Sequence, residues 1–164
     1  MDSAKLNDWI QAFGIFAVVA SLVFVGLQLK QSQDIALSQA SQSRTSATVE
    51  ILVSSAENSH FVSSIAKRRG GAGDALTVEE RVAMRQYAIG ILYLYEDQHF
   101  QYMNGFVAEE RWQAAIDTLA NFLSAESAIP IRATYEEFPA RYNDSFQMIV
   151  NDLIVDIQST AGSE

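Results

Sequence analysis

The sequence predicts an all-α protein: an N-terminal transmembrane helix that continues into a stalk helix, followed by a small antiparallel helical bundle. Three observations predict this class. Only two prolines, Pro130 and Pro139, occur in the 164 residues, which favours long helices over many short strands. Apolar residues recur at helical spacing in several segments, and no alternating pattern is long enough to support a sheet. The third observation is a long N-terminal segment without any charged residue.

Composition and charge limit the possible domain organisation and the possible classes of function. We divide the chain into an anchor, residues 1–30, and a helical stalk and bundle domain, residues 31–164. The net charge of -9 at pH 7 repels nucleic-acid phosphates, so we expect no nucleic-acid partner. The only basic run is Lys67-Arg68-Arg69, which we interpret as a solvated loop. Because cysteine is absent, disulfides, thiol nucleophiles and cysteine-ligated metals are excluded.

The charge-free segment between Asp8 and Lys30 has the length of a membrane-spanning helix. At about 1.5 Å per residue, a helix over residues 9–29 spans roughly 30 Å of hydrocarbon. Trp9 at one end and Lys30 at the other suit the two membrane interfaces. We therefore expect membrane lipid to surround residues 9–29.

Two other interpretations of this segment stay open. A cleaved signal peptide is disfavoured because Asp2 and Asp8 outnumber Lys5 in the region before the apolar stretch. The apolar stretch is also longer than the roughly 7–15 residues that are usual in a signal peptide. The second alternative is a helix buried in the core of a soluble protein. An uncleaved membrane anchor is the interpretation that the pattern favours.

One face of the anchor carries small residues. Gly14, Ala17 and Ser21 lie at positions i, i+3 and i+7 of the predicted helix. Such a stripe lets another transmembrane helix approach closely, so these three residues form a candidate helix-packing face.

The segment after the anchor predicts a stalk helix. Residues 31–48 are rich in Ser, Gln and Ala, but neither Gly nor Pro interrupts the chain from Leu27 to Arg69. We therefore expect the helix to continue to Arg69. A narrow face of mostly small residues follows helical spacing along it: Ala36, Ala40, Ser43, Ala47 and Ile51. Because so narrow a face buries little area, the stalk should pack against its own domain or against another subunit.

A central buried helix is predicted after the glycine-rich turn at residues 70–73. Thr77 and Glu80 have the spacing of a capping box, which marks the start of a helix. The predicted helix runs from there to about Met103, and its middle is hydrophobic on nearly all faces. Asn104-Gly105 ends it.

Two amphipathic helices and an irregular patch complete the predicted domain. The first helix covers residues 109–123 and begins with two glutamates, which suit the positive end of the helix dipole. An irregular patch follows at residues 124–139. The last helix has an apolar stripe at helical spacing: Phe146, Ile149, Val150, Leu153, Ile154 and Ile157.

The motif Glu-x-x-His occurs twice, from Glu57 to His60 and from Glu96 to His99. Two such motifs and two further glutamates form the ligand set of di-iron helix bundles. In a hairpin that turns near Gly71, however, the two motifs would lie about 12–20 Å apart along the helix axes. That separation is too large for one dinuclear site.

A mononuclear metal site is the remaining metal hypothesis. The same hairpin places Glu50 opposite Glu96 and His99, and a further ligand would have to come from one of four carboxylates: Glu109, Glu110, Glu136 or Glu137. Two ligands on facing helices do not make a metal site, so we expect no metal and no cofactor. We interpret Glu96 and His99 as the polar end of a buried helix, with His99 hydrogen-bonded to a carboxylate or a backbone group.

Three stretches of the chain resemble a family of uncharacterised bacterial proteins with one N-terminal transmembrane helix and a compact helical domain. They are ASLVFVGLQLKQSQ, LYEDQHFQYMNGFVAEERW and RYNDSFQMIVNDL, and the similarity covers most of the chain. The family tends to have tryptophan before the Glu and further aromatic residues where this chain has IPIRATYEEF. The resemblance implies placement in the bacterial inner membrane. It implies no known activity, and therefore supplies no catalytic residue.

Basic residues around the anchor predict its orientation. Lys30 and Arg44 follow the span, whereas Lys5 precedes it. Because basic residues favour the cytoplasmic side of a membrane, the C-terminal domain is expected in the cytoplasm.

Together these observations predict a membrane-anchored helical interaction or scaffold module without catalytic activity, which binds a protein partner or forms homo-oligomers. One alternative is a membrane-tethered carboxylate/histidine metalloprotein that uses Glu50, Glu96 and His99. A second alternative is a sensory domain for a small ligand, with the tyrosine-rich helix lining its pocket.

Overall fold

The computed structural model describes residues 3–124 and 128–161, and within these residues it contains six α-helices and no strand. The all-α class is therefore confirmed, while the arrangement as an antiparallel bundle stays a prediction. The helices are α1 (Ser3–Glu57), α2 (Ser59–Arg69), α3 (Val78–Met103), α4 (Glu109–Leu123), α5 (Ile131–Glu137) and α6 (Asp144–Ala161). Two short 3₁₀ turns cover Gly73–Ala75 and Pro139–Arg141. The chain forms two compact units, Met1–Ser41 and Gln42–Glu164.

The described part of the first unit is the N-terminal portion of α1. Among the described helices, α1 is the one that is long and apolar enough to cross a membrane by length and composition. Its most apolar window of 18 residues has a mean hydropathy of 2.3, and none of that window is buried. Trp9, near the start of this segment, is 72% exposed. The Ser21 hydroxyl donates a hydrogen bond of 2.8 Å to the carbonyl oxygen of Ala17, so this polar group is satisfied within the helix.

The second unit is built around α3, which contacts α2, α4 and α5, while α4 also contacts α6. Met84, Ala88 and Leu92 are buried along one side of α3. The predicted apolar stripe of α6 is confirmed, since its residues are buried in the core or packed against it. The buried core cluster consists of Ala88, Ile91, Leu92, Tyr95, Val107, Trp112, Ala115, Leu119, Leu123, Ile131, Tyr135, Tyr142, Phe146, Val150 and Ile154.

Both predicted ends of α3 are confirmed. The Thr77 hydroxyl accepts a hydrogen bond of 3.3 Å from the Glu80 backbone N–H, and the Glu80 carboxylate accepts one of 2.8 Å from the Thr77 backbone N–H. These two bonds are the predicted capping box. After Met103 the chain leaves the helix, and Gly105 adopts a φ of 77°. That left-handed conformation favours glycine.

The predicted continuous stalk helix to Arg69 is wrong in one respect, because the chain breaks between α1 and α2 at Asn58. Asn58 has an extended backbone, and its side-chain oxygen accepts a hydrogen bond of 3.1 Å from the Phe61 backbone N–H. Asparagine at a helix N-cap replaces a backbone hydrogen bond with a side-chain one, so the break needs neither glycine nor proline.

The predicted irregular patch at 124–139 contains a short helix, α5, among its described residues. Ile131, Thr134 and Tyr135 of α5 are buried. The Tyr135 hydroxyl donates to the Asn151 side-chain oxygen at 3.1 Å, which joins α5 to α6. The segment is thus ordered by burial against the core rather than by a periodic pattern of its own.

The predicted solvated loop at Lys67-Arg68-Arg69 is instead the last turn of α2. Lys67 forms an ion pair of 2.8 Å with Glu80, whose residue surface is only 4% exposed. The other Glu80 oxygen accepts a hydrogen bond of 2.6 Å from the Ser63 hydroxyl. The bonds from Lys67, Ser63 and the Thr77 backbone lower the pKa of Glu80 to about 2. This carboxylate therefore connects α2 to the start of α3.

Candidate functional site

Glu96, one of the predicted metal-ligand candidates, serves to hold the start of α6. Its carboxylate accepts hydrogen bonds from the Asn143 backbone N–H at 2.6 Å and from the Asn143 side-chain amide at 2.9 Å. The Asn143 side-chain oxygen in turn accepts from the Phe146 backbone N–H at 2.9 Å, which caps α6. Glu96 therefore joins the last third of α3 to the first turn of α6.

His99, the second candidate, is buried among aromatic rings. Its residue surface is 4% exposed, and its ring centroid lies 5.3 Å from that of Trp112 and 6.2 Å from that of Phe146. Trp112 is itself buried. Burial lowers the pKa of His99, while the nearby negative charge of Glu96 acts in the opposite direction. The predicted burial of His99 is confirmed, but the contacts that define its position are aromatic.

The mononuclear metal hypothesis gains no support from the described residues. Glu50 is exposed on α1, and no group of three or more His, Asp or Glu residues in the described parts of the chain could hold a metal ion. Three of the carboxylates considered as further ligands have other partners. Glu109 accepts hydrogen bonds from Tyr102 and Gln113, Glu136 pairs with Arg132, and Glu137 pairs with Arg85.

The three residues of the candidate helix-packing face lie on α1. Gly14, Ala17 and Ser21 are all exposed, and a Cβ atom added at Gly14 would meet no other atom within 4 Å. Lys30 is also exposed. Two statements stay predictions. One is that a second helix covers this face, and the other is that Trp9 and Lys30 lie at membrane interfaces.

A groove in the second unit is a large concave site with a mostly apolar lining. Its volume is about 580 Å³, and it lies between the last two turns of α1, the start of α2 and the first half of α3. The groove is lined by Ile51, Ser54, Ser55, Asn58, His60, Phe61, Val78, Glu79, Val82, Ala83, Gln86, Tyr87 and Gly90. Asn58, where the helix breaks, is itself one of the lining residues.

An aromatic pair and one carboxylate define the chemistry of the groove. The ring centroids of Phe61 and Tyr87 are 4.5 Å apart with an interplanar angle of 31°. Burial raises the pKa of Tyr87. Hydrogen bonds from its own backbone N–H and from the Thr77 hydroxyl lower the pKa of Glu79, and His60 lowers it further. Glu79 is therefore ionised at neutral pH.

The sequence prediction missed this groove because its lining comes from three helices whose contacts depend on the unforeseen break at Asn58. Tyr93, Tyr95 and Tyr102 of α3 do not line it. Tyr87 of the same helix does. One signal could have pointed to the site: Val78 and Val82 are apolar but lie outside the buried side of α3.

A second exposed apolar surface lies on the part of α1 that belongs to the second unit. Val49, Leu52 and Val53 follow helical spacing and are each half exposed, whereas the neighbouring Ile51 packs against the core. We call these three residues the α1 apolar stripe.

Comparison of the chain with known proteins finds no match to a family model, to a curated protein or to a solved structure. The resemblance to bacterial membrane proteins therefore stays a prediction, and the geometry of this chain is the basis for inferring its function.

Proposed function

We propose that this protein is a membrane-anchored helical interaction module without catalytic activity. The observation that carries the proposal is the apolar segment of α1, whose most apolar window of 18 residues contains no buried residue. Lipid is the environment that stabilises such a helix, because all its backbone hydrogen bonds are internal and its side chains need no water.

The alternative of a soluble-core helix requires the segment to be covered by protein. Phe13, Phe16 and Phe24 are each more than 60% exposed. Each buried large apolar side chain contributes about 1.5–3 kcal/mol, so leaving this segment in water would be costly. We propose that lipid covers residues 9–29, with the second unit in the bacterial cytoplasm.

The interaction part of the proposal is supported by the α1 apolar stripe. The stripe, Val49, Leu52 and Val53, is too small to define a partner by itself, but it lies on the helix that also carries the anchor. A second copy of the chain, held in the same membrane, would meet this surface at high effective concentration. We propose that a second copy or another membrane-held protein covers it.

Membrane extraction tests the anchor. The variant Val19→Arg with Val23→Arg places two charges in the middle of the segment, where each costs several kcal/mol in lipid. A matched control, Met148→Arg with Val155→Arg, adds the same charge at exposed positions of α6. Wild type and control should stay in the membrane pellet after alkaline carbonate washing, and the segment variant should be released. Wild-type protein that is soluble without detergent would overturn the anchor.

Cysteine labelling tests the orientation, because the chain contains no cysteine of its own. We expect Ser159→Cys, at an exposed position of α6, to react with an impermeant maleimide in inverted membrane vesicles and not in intact spheroplasts. The opposite pattern would place the second unit outside the cytoplasm.

Photo-crosslinking tests the interaction surface. A photoreactive amino acid at Val49 should give a crosslinked product of discrete size in native membranes, whereas the same amino acid at the exposed Asp117 of α4 should not. A dimer of this chain would identify a second copy as the partner. Equal crosslinking from both positions would argue against a specific surface.

The groove favours a second function, the binding of a small ligand. Small-molecule sites are concave, mostly apolar and about 300–1,000 Å³ in volume, and the groove has each of these properties. In this function the second unit would be a sensory domain, with α3 supplying one wall of the site.

A further inference from the structure

We propose that the groove between α1, α2 and α3 binds an amphipathic organic cation, whose apolar body lies in the groove and whose ammonium group is attracted by the Phe61–Tyr87 ring pair and the Glu79 carboxylate that line it. The proposal rests on the ligand-binding function and names the chemical class of the ligand.

The apolar part of the ligand is specified by the groove walls. Val78 and Val82 on α3 and Ile51 on α1 line the groove, and both valines are more than half exposed. Covering them with an apolar body removes this surface from water, at about 25 cal/mol for each Å² buried. A ligand body of one or two rings fits within the volume of about 580 Å³ and would cover part of this apolar lining.

Gly90 of α3 lies near Ile51 of α1 in the lining of the groove. Gly90 lies at one end of the lining, and a Cβ atom added there would lie 3.8 Å from the Cδ1 atom of Ile51. Alanine would therefore fit at this position, whereas a larger side chain would project into the groove or separate α1 from α3.

The ring pair favours a cation over a neutral polar group. Phe61 is held in the first turn of α2 by the hydrogen bond from its backbone N–H to Asn58, and its ring lies beside that of Tyr87. The faces of aromatic rings carry partial negative charge, and an ammonium group within about 6 Å of a ring gains about 0.5–1 kcal/mol at an exposed site.

The charges around the groove also favour a cationic ligand. Glu79 is the only carboxylate among the lining residues, which include no lysine or arginine. The ion pairs between residues of the described chain are Lys67–Glu80, Arg85–Glu137 and Arg132–Glu136, and none of them includes Glu79. His60, which also lines the groove, is the neighbouring group that lowers the pKa of Glu79 by its charge. The net charge of -9 adds long-range attraction for cations and repels anionic ligands.

Equilibrium dialysis of three related probes tests the proposal. The full chain is reconstituted in nanodiscs of zwitterionic lipid at pH 8, and binding to protein-free nanodiscs is subtracted. The probes are (2-naphthylmethyl)trimethylammonium, its neutral carbon isostere 2-neopentylnaphthalene, and the anion 2-naphthylacetate. We expect one cation to bind per protein chain, with a lower dissociation constant than that of the neutral isostere. The anion should not bind.

Two variants with a matched control assign the binding to this groove. Glu79→Gln should weaken cation binding roughly two- to fivefold, as expected for a partly exposed ion pair, and leave binding of the neutral probe unchanged. Tyr87→Leu should weaken cation binding to a similar extent. Glu110→Gln is the control for Glu79→Gln, because Glu110 is also an exposed glutamate in the first turn of a helix. Thermal unfolding of each variant confirms that it is folded.

The outcomes separate the ligand class from the ligand-binding function. Equal binding of the cation and the neutral isostere would overturn recognition of charge and leave a ligand site in place. No saturable binding of any probe would overturn the ligand site itself. An equal loss of cation binding in Glu79→Gln and Glu110→Gln would show that the effect comes from overall charge, and would overturn the assignment to this groove.

Discussion

The buried carboxylate of Glu80 shows how one residue can serve two local structures. It completes the capping box of α3 through the Thr77 backbone and forms an ion pair with Lys67 of α2. The sequence predicted the capping box because its two residues are three positions apart. The pair with Lys67 could not be predicted, since it depends on how the glycine-rich turn brings α2 against α3.

Glu80→Gln should lower the free energy of unfolding at neutral pH, because a neutral amide cannot form the ion pair with Lys67. The pKa of Glu80 lies at about 2 in the folded chain, against an ordinary value of 4.5. The contribution of the carboxylate is therefore fully present above about pH 4.5 and is lost as the pH falls toward 2. Chemical denaturation at a series of pH values should show the difference from wild type shrinking across that window.

Glu137→Gln is the control for this prediction, because the Arg85–Glu137 pair is exposed on both sides. Exposed ion pairs contribute little, so this variant should remain close to wild type at every pH. A difference between Glu80→Gln and wild type that stayed constant from neutral to strongly acidic pH would contradict the role given to Glu80.

His99→Ala should lower the free energy of unfolding by about 1–3 kcal/mol, since it removes ring contacts with Trp112 and Phe146 that each contribute about 0.5–1.5 kcal/mol. His60→Ala, at an exposed position, should change stability by no more than about 0.5 kcal/mol. Chemical denaturation measures both values.

The stability of wild type and that of His99→Ala should differ in their dependence on pH, because His99 is buried. Because burial lowers the pKa of His99, the folded chain resists protonation of this ring, and stability falls as the pH drops below the ordinary value of 6.5. The part of this decline that comes from His99 should be missing in His99→Ala. A variant of wild-type stability that had lost a bound metal would show that His99 is a ligand instead.

At the scale of elements, the sequence predicted most strongly those helices whose ends carry their own chemical signals. The capping box at Thr77 marks the start of α3 and the glycine at position 105 follows its end, as expected. The break at Asn58 was missed because asparagine is tolerated inside helices, and only its bond to the Phe61 backbone makes it a cap here. Helix α5 was missed because seven residues are too few to show a period.

Gly105→Ala should destabilise the protein by about 1–2 kcal/mol, because a side chain at a positive φ is strained by its own backbone. An added Cβ atom meets nothing within 4 Å, so the conformation alone sets the effect. Gly105→Asn should be affected less, since asparagine tolerates the left-handed region better than alanine does. Thermal unfolding of the two variants measures the difference. Equal stability of Gly105→Ala and wild type would mean that the turn has another accessible conformation.

At the scale of the whole molecule, the hydrophobic core belongs to the second unit alone. Every residue of the core cluster, with the partly buried residues packed against it, lies between Ile51 and Ile157. From its composition, the sequence predicted an apolar N-terminal helix followed by a folded domain, and the role of that helix as a membrane anchor stays a prediction. It could not predict how the helices of the domain pack, because that depends on contacts between residues far apart in the chain.

A truncated chain of residues 42–164 should therefore fold without the first unit. We expect it to be soluble without detergent, strongly helical and cooperative in thermal unfolding, with a midpoint close to that of the full chain. Circular dichroism measures the helicity and the thermal unfolding, and sedimentation measures the solubility. A truncated chain that is unfolded would show that residues before 42 contribute to the core.

The positions of the two tryptophans give each unit its own optical reporter. Trp9 is 72% exposed in the first unit, and Trp112 is 3% exposed beside His99 in the core of the second. With Trp9→Phe, the emission spectrum would follow the unfolding of the core alone. With Trp112→Phe, a blue shift and protection from aqueous quenchers on adding vesicles would report the entry of α1 into the bilayer, with no label attached to the chain.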